Sequence, residues 1–421
     1  MTVLADLLTT LFERARGEAG AAAADNRPLP DLARALLTSR GEAAGFALAR
    51  ALLDRYAALA DDQKLAFFHF LAEELDLDPG RVTETAAAYS ARPTAEVYAR
   101  LMAAAEPARQ ELIRRLNRAQ GATHRLVEMR ADLRRLAGRD ASLGRIDVDF
   151  RHLFGSWFNR GFLVLRRIDW SSPADVLEKI IRYEAVHEIS SWDDLRRRLA
   201  PPDRRCFAFF HPAMADEPLI FVEVALTKGV PGSVAGLLME ERTPIAAHAA
   251  DTAVFYSISN CQPGLAGVSF GNLLIKQVAE DLGRELPGLK TFVTLSPIPG
   301  LSGWLADQGR PEPEDDELKA LAARYLLAAK RPDGLPLDPV ARFHLENGAL
   351  VHALHVGADP SPRGVKQSRG AMVNYLYDLS KIAENHDAFA ARGPVAASKA
   401  VRALAEAGAK LGSLKDGQSA L

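Results

Sequence analysis

A glycine-bearing loop is the first feature of this sequence whose residue types and spacing could do chemistry. It follows an apolar run that ends near Ser259, and glycines stand at positions 264, 267 and 271 before an amphipathic stretch begins at 273. Glycines let a backbone approach a ligand closely, and a helix start presents free N–H groups with partial positive charge. The pattern predicts an anion site suited to a pyrophosphate. A tight loop with glycines at turn positions is the alternative, because the spacing matches neither G-x-G-x-x-G nor a P-loop.

Ser296 is the second candidate, in the segment Thr-Leu-Ser-Pro-Ile-Pro-Gly that starts at Thr294. It stands at the end of an apolar run, and α/β folds place ligands at strand ends next to helix N-termini. Its hydroxyl could therefore donate to a bound carbonyl or carboxylate. The alternative is a serine that bonds its own turn before Pro297. A hydrolase nucleophile is not favoured, because the G-x-S-x-G pattern is missing.

His344 and a pair of tyrosines complete the candidates. His344 stands between Phe343 and Leu345, shortly before an Asn-Gly turn. A histidine there could be a proton donor near neutral pH or a buried hydrogen-bonded residue, and both readings stay open. Tyr375 and Tyr377 are two residues apart, so they share a face in a strand and diverge in a helix. They are expected to be core or pocket aromatics.

The elements that must position these residues change character near residue 140. The segment 1–140 is rich in Ala, Leu and Arg at helical spacing, which predicts a helical bundle that begins with an amphipathic helix. Beyond it, the segment 141–421 alternates strand and helix patterns, which predicts a mixed domain of strands and helices. Helices are expected at 43–59, 62–75, 94–104, 109–137, within 172–199, at 273–286 and at 318–329. Strands are expected at 206–210, 219–226, 253–259, 291–296 and 349–356.

Composition excludes several classes of protein. The 421 residues carry 52 Lys plus Arg against 54 Asp plus Glu, so no broad field favours nucleic acid or an anionic membrane. Apolar runs are interrupted well before the roughly 20 residues of a membrane span. Cys206 and Cys261 are too few for a disulfide framework and are not spaced as metal ligands, which fits a reducing cytoplasm. The C-terminal Gly-Gln-Ser-Ala-Leu is not a peroxisomal signal.

Six segments in the same order resemble the malonyl-CoA decarboxylase family, over most of residues 150–380. They are Cys206–Pro212, Glu217–Thr227, the loop and helix 256–276, Thr294–Gly300, Phe343–Gly348 and Met372–Tyr377. The resemblance implies an α+β protein. Its N-terminal all-α helical bundle, 1–140, would serve oligomerisation, and a catalytic domain, 141–421, would have an α/β fold similar to GCN5-related N-acetyltransferases.

The resemblance also implies a set of site residues. The family's active serine falls on Ser296, its active histidine on His344 and a catalytic pocket tyrosine on Tyr377. No metal site is implied. Some members carry glutamate where this sequence has Ser269. The loop that would bind the coenzyme A phosphates comprises Ala266, Gly267, Val268, Ser269, Phe270, Gly271 and Asn272.

The implied activity is that of a carboxy-lyase of fatty acid metabolism, which converts malonyl-CoA to acetyl-CoA and CO2 through an enolate protonated at the α carbon. Coenzyme A would enter as part of the substrate, with no separate cofactor. A cytoplasmic homotetramer is expected, without nucleic-acid or membrane partners. The alternatives are an N-acyltransferase that passes an acyl group from acetyl-CoA to an amine, and a non-catalytic coenzyme A-binding protein. An amine requirement, or binding without turnover, would distinguish them.

Overall fold

The computed structural model describes residues 27–138, 140–268 and 274–413. The amphipathic helix predicted at the start of the sequence lies outside these residues. The chain divides into two compact units. One, the helical unit, runs to Trp157 and includes Pro263–Val268. The other, the sheet unit, contains the remainder from Phe158 onward.

The helical unit is built from amphipathic helices that bury Leu, Phe and Ala on one side. Two of the helix starts have polar caps: the Asp78 carboxylate accepts from the backbone N–H groups of Gly80 and Arg81, and the Thr94 hydroxyl accepts from that of Val97. The helices are α1 Leu29–Thr38, α2 Glu42–Ala57, α3 Asp61–Glu73, α4 Pro79–Ala91, α5 Ala95–Ala104, α6 Ala108–Leu116, α7 Ala122–Leu136 and α8 Ala141–Trp157.

Two features of this unit differ from the sequence prediction. The helix expected at 109–137 is two helices, because the chain turns between α6 and α7 and Gly121 takes a φ of +69°. Helix α8 buries Ile146 and Phe150 and belongs to the helical unit. The observed division therefore falls after Trp157 rather than near residue 140, since α8 continues the helical pattern across the predicted boundary.

The sheet unit alternates strands and helices, as the sequence predicts. Its strands are β1 Val164–Ile168, β2 Arg204–His211, β3 Met214–Thr227, β4 Thr252–Asn260, β5 Thr291–Thr294, β6 Ser296–Pro297, β7 Leu350–His355 and β8 Met372–Leu376. Its helices are α9 Ala174–Tyr183, α10 Trp192–Leu199, α11 Ala235–Leu238, α12 Leu274–Glu285, α13 Leu301–Asp307, α14 Asp315–Ala328, α15 Pro339–Glu346, α16 Pro362–Ser368, α17 Ile382–Ala390 and α18 Lys399–Ser413.

The strands form one sheet in the order β1-β2-β3-β4-β5-β8-β6, with β7 also paired to β8. Strands β4 and β5 pair in parallel and the other pairs are antiparallel. A parallel pair needs a crossover, and helix α12 lies in the crossover from β4 to β5. An α+β protein with an N-terminal helical region followed by a mixed sheet domain is thereby confirmed.

The five predicted strands are present, and one of them is interrupted. The run 291–296 forms β5 and then β6, with Leu295 between them. Strand β1 was not anticipated, and β8 resolves the open question over Tyr375 in favour of extended backbone. None of the helices between residues 27 and 413 that the structure describes has the length and hydropathy of a membrane-spanning segment.

Candidate active site

Ser296 is the first residue of β6, directly after the break that separates β6 from β5. Strand β5 pairs with β8 at Val293 and Leu376, whereas β6 pairs with β8 at Ser296 and Val373. Ser296 is buried. Its Oγ lies 2.9 Å from Thr294 Oγ1, to which the Ser296 hydroxyl donates. The hydroxyl therefore contacts the side chains of Thr294 and His344, whereas the alternative from the sequence was a serine that bonds the backbone of its own turn.

His344 is carried by helix α15, just before its end. Asp338 caps the start of this helix, because its Oδ1 accepts from the backbone N–H groups of Val340 and Ala341, both at 2.9 Å. The His344 ring is buried, and its Nε2 lies 3.1 Å from Ser296 Oγ. Sequence reasoning placed His344 before the Asn-Gly turn but assigned no helix there, since the helix is only eight residues long.

Tyr377 and Tyr375 contact the same imidazole from the end of β8. The Tyr377 hydroxyl lies 2.8 Å from His344 Nδ1. The Tyr375 ring stacks on the His344 ring, with centroids 4.4 Å apart and planes inclined by 25°. Both tyrosines reach the histidine because extended backbone directs residues two apart to one face. Sequence reasoning treated both as core or pocket aromatics, and the structure brings them to one histidine.

Thr294, Ser296, His344 and Tyr377 form one connected set of hydrogen bonds, which we call the site network. Because the Ser296 hydroxyl donates to Thr294, its oxygen is free to accept the Nε2–H of His344. Nδ1 then carries no proton and accepts from the Tyr377 hydroxyl. The donors run in one direction, from Tyr377 through His344 and Ser296 to Thr294.

The site network is uncharged near neutral pH. Burial lowers the pKa of His344 to about 3, because the imidazolium would lose its hydration. Burial also raises the pKa of Tyr377 well above its usual value. Both ring nitrogens of His344 are bonded to neutral hydroxyls. The arrangement can therefore donate hydrogen bonds and relay a proton without holding a resident charge.

The glycine loop is described only in part. Pro263–Leu265 form a single 3₁₀ turn within the helical unit, and Gly267 has a φ of +74°. A Cβ on Gly264 would lie 1.9 Å from the carbonyl oxygen of Val127, so only glycine fits there. Of the predicted phosphate-loop residues, Ala266, Gly267 and Val268 are described. Ser269, Phe270, Gly271 and Asn272 lie outside the described residues, and phosphate binding stays a prediction.

A buried arginine holds this part of the loop. Arg130 is fully buried in helix α7, and its Nη1 donates to the carbonyl oxygen of Gly264 at 2.7 Å. Its other nitrogens contact both carboxylate oxygens of Asp147, at 2.9 and 3.3 Å. The composition of the helical segment did not single out Arg130, because its contact with the loop depends on tertiary packing.

Sequence reasoning selected three members of the site network and missed the fourth. Ser296, His344 and Tyr377 are brought together, although they come from separate elements. Thr294 was quoted only as the first residue of the serine segment. Its spacing of two from Ser296 could have indicated a shared face, but the break between β5 and β6 obscured it. Asp338, the helix cap under His344, was also missed.

Fold and site together define a class: an α+β protein with an N-terminal helical region, a mostly antiparallel sheet and a buried Ser-His-Tyr site. Family models agree with this class. The malonyl-CoA decarboxylase C-terminal domain matches residues 161–317 and 312–415, and the malonyl-CoA decarboxylase N-terminal domain matches residues 76–158. The chain belongs to the malonyl-CoA decarboxylase family, whose activity is that of a carboxy-lyase.

Individual relatives give the same assignment. The chain is 53% identical to the solved malonyl-CoA decarboxylase of Rhodopseudomonas palustris, with a TM-score of 0.84 over 89% of this chain and 98% of that one. The chain is 50% identical to the solved malonyl-CoA decarboxylase of Agrobacterium vitis, with a TM-score of 0.83 over 89% of this chain and 99% of that one. The mitochondrial malonyl-CoA decarboxylase of Anser anser anser is 35% identical in an alignment that covers 79% of this chain and 77% of the goose protein.

Proposed function

We propose that this protein converts malonyl-CoA to acetyl-CoA and CO2 at the site network. The observation that carries the proposal is a buried, uncharged chain of hydrogen bonds through Tyr377, His344 and Ser296 in a member of the malonyl-CoA decarboxylase family. Such a network can supply what this reaction needs, namely a hydrogen-bond donor for developing negative charge and one proton.

The first requirement is stabilisation of the enolate. Loss of CO2 leaves an electron pair on the α carbon, which delocalises onto the thioester oxygen. Ser296 is proposed to orient the malonyl group by donating its hydroxyl to the carboxylate or to that oxygen. Rotation about the Cβ–Oγ bond of Ser296 turns the hydroxyl hydrogen away from Thr294, while the oxygen stays in place and keeps its hydrogen bond from the Nε2–H of His344. Because donors in series polarise one another, the serine is a stronger donor than an isolated hydroxyl.

The second requirement is a proton for the α carbon. His344 is proposed to give up the proton on Nε2, while its Nδ1 takes the proton of the Tyr377 hydroxyl. The negative charge of the malonyl carboxylate is therefore accounted for at every step. Loss of CO2 moves it to the enolate, and the two proton transfers move it to the tyrosine oxygen. Burial raises the pKa of Tyr377, so the tyrosinate recovers a proton from solvent and the site returns to neutrality.

A nucleophilic or basic serine is not part of this proposal. The malonyl carboxyl is already ionised at neutral pH, so no base is needed to deprotonate it. In the site network Ser296 Oγ accepts from His344, whereas a nucleophilic serine donates its proton to the histidine. The donor direction that follows from the Ser296–Thr294 contact therefore favours orientation and hydrogen-bond donation.

The proposal needs no separate cofactor, because the thioester carbonyl is itself the electron sink for the α carbanion. Coenzyme A enters with the substrate, and the loop from Ala266 to Asn272 is proposed to hold its phosphates. The exposed Gly267, with its positive φ, supports this role, since a residue without a side chain leaves backbone at the loop surface.

Assembly and location complete the proposal. A homotetramer is proposed, supported by the exposed Tyr98 and Met102 side chains on helix α5 of the helical unit. A cytoplasmic location is supported by Cys206 and Cys261, which are buried free thiols.

The test is incubation of the purified protein with carboxyl-labelled malonyl-CoA, without added amine or metal. Release of labelled CO2 together with acetyl-CoA is expected. Formation of free coenzyme A only when an amine is added would instead indicate an acyltransferase, and binding without turnover would indicate a non-catalytic protein. Either of these results would overturn the proposal.

The serine is tested in the same assay with Ser296→Ala. Removal of a preorganised donor typically lowers kcat about 10²- to 10³-fold, and we expect a loss of that order with coenzyme A binding retained. Ser190→Ala is the matched control, because Ser190 is exposed and lies outside the site network. A Ser296→Ala variant with normal turnover would remove serine from the mechanism.

A further inference from the structure

Thr294 occupies the acceptor end of the site network and is fully buried. Its Oγ1 accepts from Ser296 Oγ at 2.9 Å and from the backbone N–H of Tyr375 at 3.1 Å. A threonine oxygen has two acceptor positions, and these two donors occupy both. The geometry makes Ser296 the donor in the contact between the two hydroxyls.

The surrounding sheet explains why a hydroxyl stands at this position. Strands β5 and β8 pair at Val293 and Leu376, and β6 and β8 pair at Ser296 and Val373. Between these pairs the Thr294 side chain takes the Tyr375 N–H, and the Asn374 side-chain amide donates to the Thr294 carbonyl oxygen at 2.8 Å. Thr294 therefore fills a gap in the backbone ladder and is fixed in position by it.

The direction of the whole network depends on this one acceptor. With Ser296 donating to Thr294, the serine oxygen accepts from His344 Nε2–H, and Nδ1 accepts from Tyr377. Without the Thr294 acceptor, the Ser296 hydroxyl would turn to His344 Nε2 and the ring proton would move to Nδ1. In that reversed arrangement Nε2 carries no proton to give to a substrate.

We propose that Thr294 is a positioning residue for the decarboxylation, which sets the donor direction from Tyr377 to Ser296 and keeps His344 in its Nε2–H form. The inference rests on the proposed function for its catalytic consequence. The direction itself is a property of the unliganded protein and is tested separately.

The kinetic test compares Thr294→Val with Thr294→Ser. Valine has nearly the same shape but accepts no hydrogen bond, so kcat for CO2 release is expected to fall about 10- to 100-fold. KM for malonyl-CoA is expected to stay within about threefold, because Thr294 is buried behind Ser296. Serine keeps the acceptor and is expected to retain most of the activity. Thr291→Val, at the opposite end of β5 and outside the site network, is the matched control.

The spectroscopic test uses protein labelled with ¹⁵N in its histidine rings. The His344 signals are assigned by their loss in His344→Gln. In the unliganded wild type we expect the shifts of a neutral ring protonated at Nε2, and in Thr294→Val a shift of population toward the Nδ1–H form. This measurement needs no substrate, so it remains decisive if the protein proves not to release CO2 from malonyl-CoA.

Three outcomes would overturn the inference. They are a wild-type His344 protonated at Nδ1, a Thr294→Val variant with unchanged kcat and unchanged ring shifts, and a Thr294→Ser variant as impaired as Thr294→Val. The third would show that the methyl group matters and that the role is packing. If Thr294→Val does not fold, two measurements remain. A wild-type His344 protonated at Nδ1, or a strongly impaired Thr294→Ser variant, would still overturn the inference.

Discussion

Two buried polar clusters of this protein, one in each unit, differ in how they handle charge. In the helical unit, buried Arg109 is ion-paired to Asp149 and, at 2.7 Å, to Asp76, and Gln110 donates to Asp149 at 2.6 Å. We call these four residues the Arg109 cluster. In the sheet unit, the site network is as deeply buried but joins an imidazole to hydroxyl groups alone.

The difference shows how charge decides the role of a buried polar group. A buried ion is costly unless it is paired, so the Arg109 cluster keeps its charges by holding partners in place. His344 has neutral partners at both nitrogens, and burial lowers its pKa to about 3, so it gives up charge. A paired cluster is suited to structural support, whereas a neutral network can pass a proton.

The strongest way to sharpen this comparison is to remove the buried cation. Arg109→Met leaves Asp149 without its charged partner and leaves Asp76 paired only with Arg145, and breaking a buried pair typically costs about 3–5 kcal/mol. We expect that loss in the free energy of unfolding, measured by denaturant titration, with little change in kcat of the folded protein. Arg114→Met on the same helix is the control, because its ion pairs with Glu106 and Glu111 are more exposed. Equal losses for both variants would contradict the comparison.

Removing one hydroxyl from the site network is expected to act mainly on kcat, whereas removing Arg109 is expected to act mainly on stability. Tyr377→Phe leaves His344 Nδ1 buried without its donor, and an unmade hydrogen bond of this kind costs about 1–3 kcal/mol. We expect kcat to fall about 10- to 100-fold, with KM for malonyl-CoA nearly unchanged. Steady-state kinetics checks this, and Tyr325→Phe, which lies outside the site network, is the control. A normal kcat would show that Tyr377 is only a packing residue.

Removing the helix cap under His344 should lower both the stability and kcat, each by a smaller amount. Asp338→Ala removes the acceptor for the Val340 and Ala341 N–H groups, and loss of such a cap costs about 1–2 kcal/mol. Thermal unfolding should register that loss, and kcat should fall modestly because His344 is less well positioned. Asp338→Asn retains a capping side chain and is expected to restore most of both. If it does not, the charge of Asp338 has a role beyond capping.

The smallest effect concerns the pH dependence of stability. The His344 pKa is lowered from 6.5 to about 3 in the folded protein. Between these values the unfolded chain binds a proton that the folded protein does not, so His344 makes stability decrease as pH falls from about 6.5. Replacing it with Gln removes one such proton, which should flatten the dependence by at most about 1.4 kcal/mol per pH unit. Unfolding titrations between pH 4.5 and 6.5 measure the slope, and an unchanged slope would contradict a neutral His344.

Local patterns of the sequence were sufficient for most elements and for three site residues. Strands such as β2 and β4 are continuous apolar runs, and α12 has a clear helical period. Three site residues lie in segments that resemble one family in residue type and in their order along the chain: Ser296, His344 and Tyr377. The strands and the helix follow from residue type and spacing, whereas the roles of the three site residues were implied by the family resemblance.

Other features depend on distant packing and could not be predicted. Thr294 acts through the backbone of Tyr375 on another strand, and Arg130 reaches Gly264 far along the sequence. Helix α8 resembles the pattern on either side of the expected boundary, so only its packing shows the unit to which it belongs. The neutral state of His344 also follows from burial, which its neighbours in sequence do not reveal.

The most direct test of the central claim is the turnover of His344→Asn with carboxyl-labelled malonyl-CoA, measured beside its affinity for coenzyme A. General acid catalysis is typically worth about 10²- to 10⁴-fold, so CO2 release should fall by that order while coenzyme A binds within about threefold of wild type. His248→Asn, an exposed histidine outside the site, should behave as wild type. A His344→Asn protein that releases CO2 at nearly the normal rate would contradict the account.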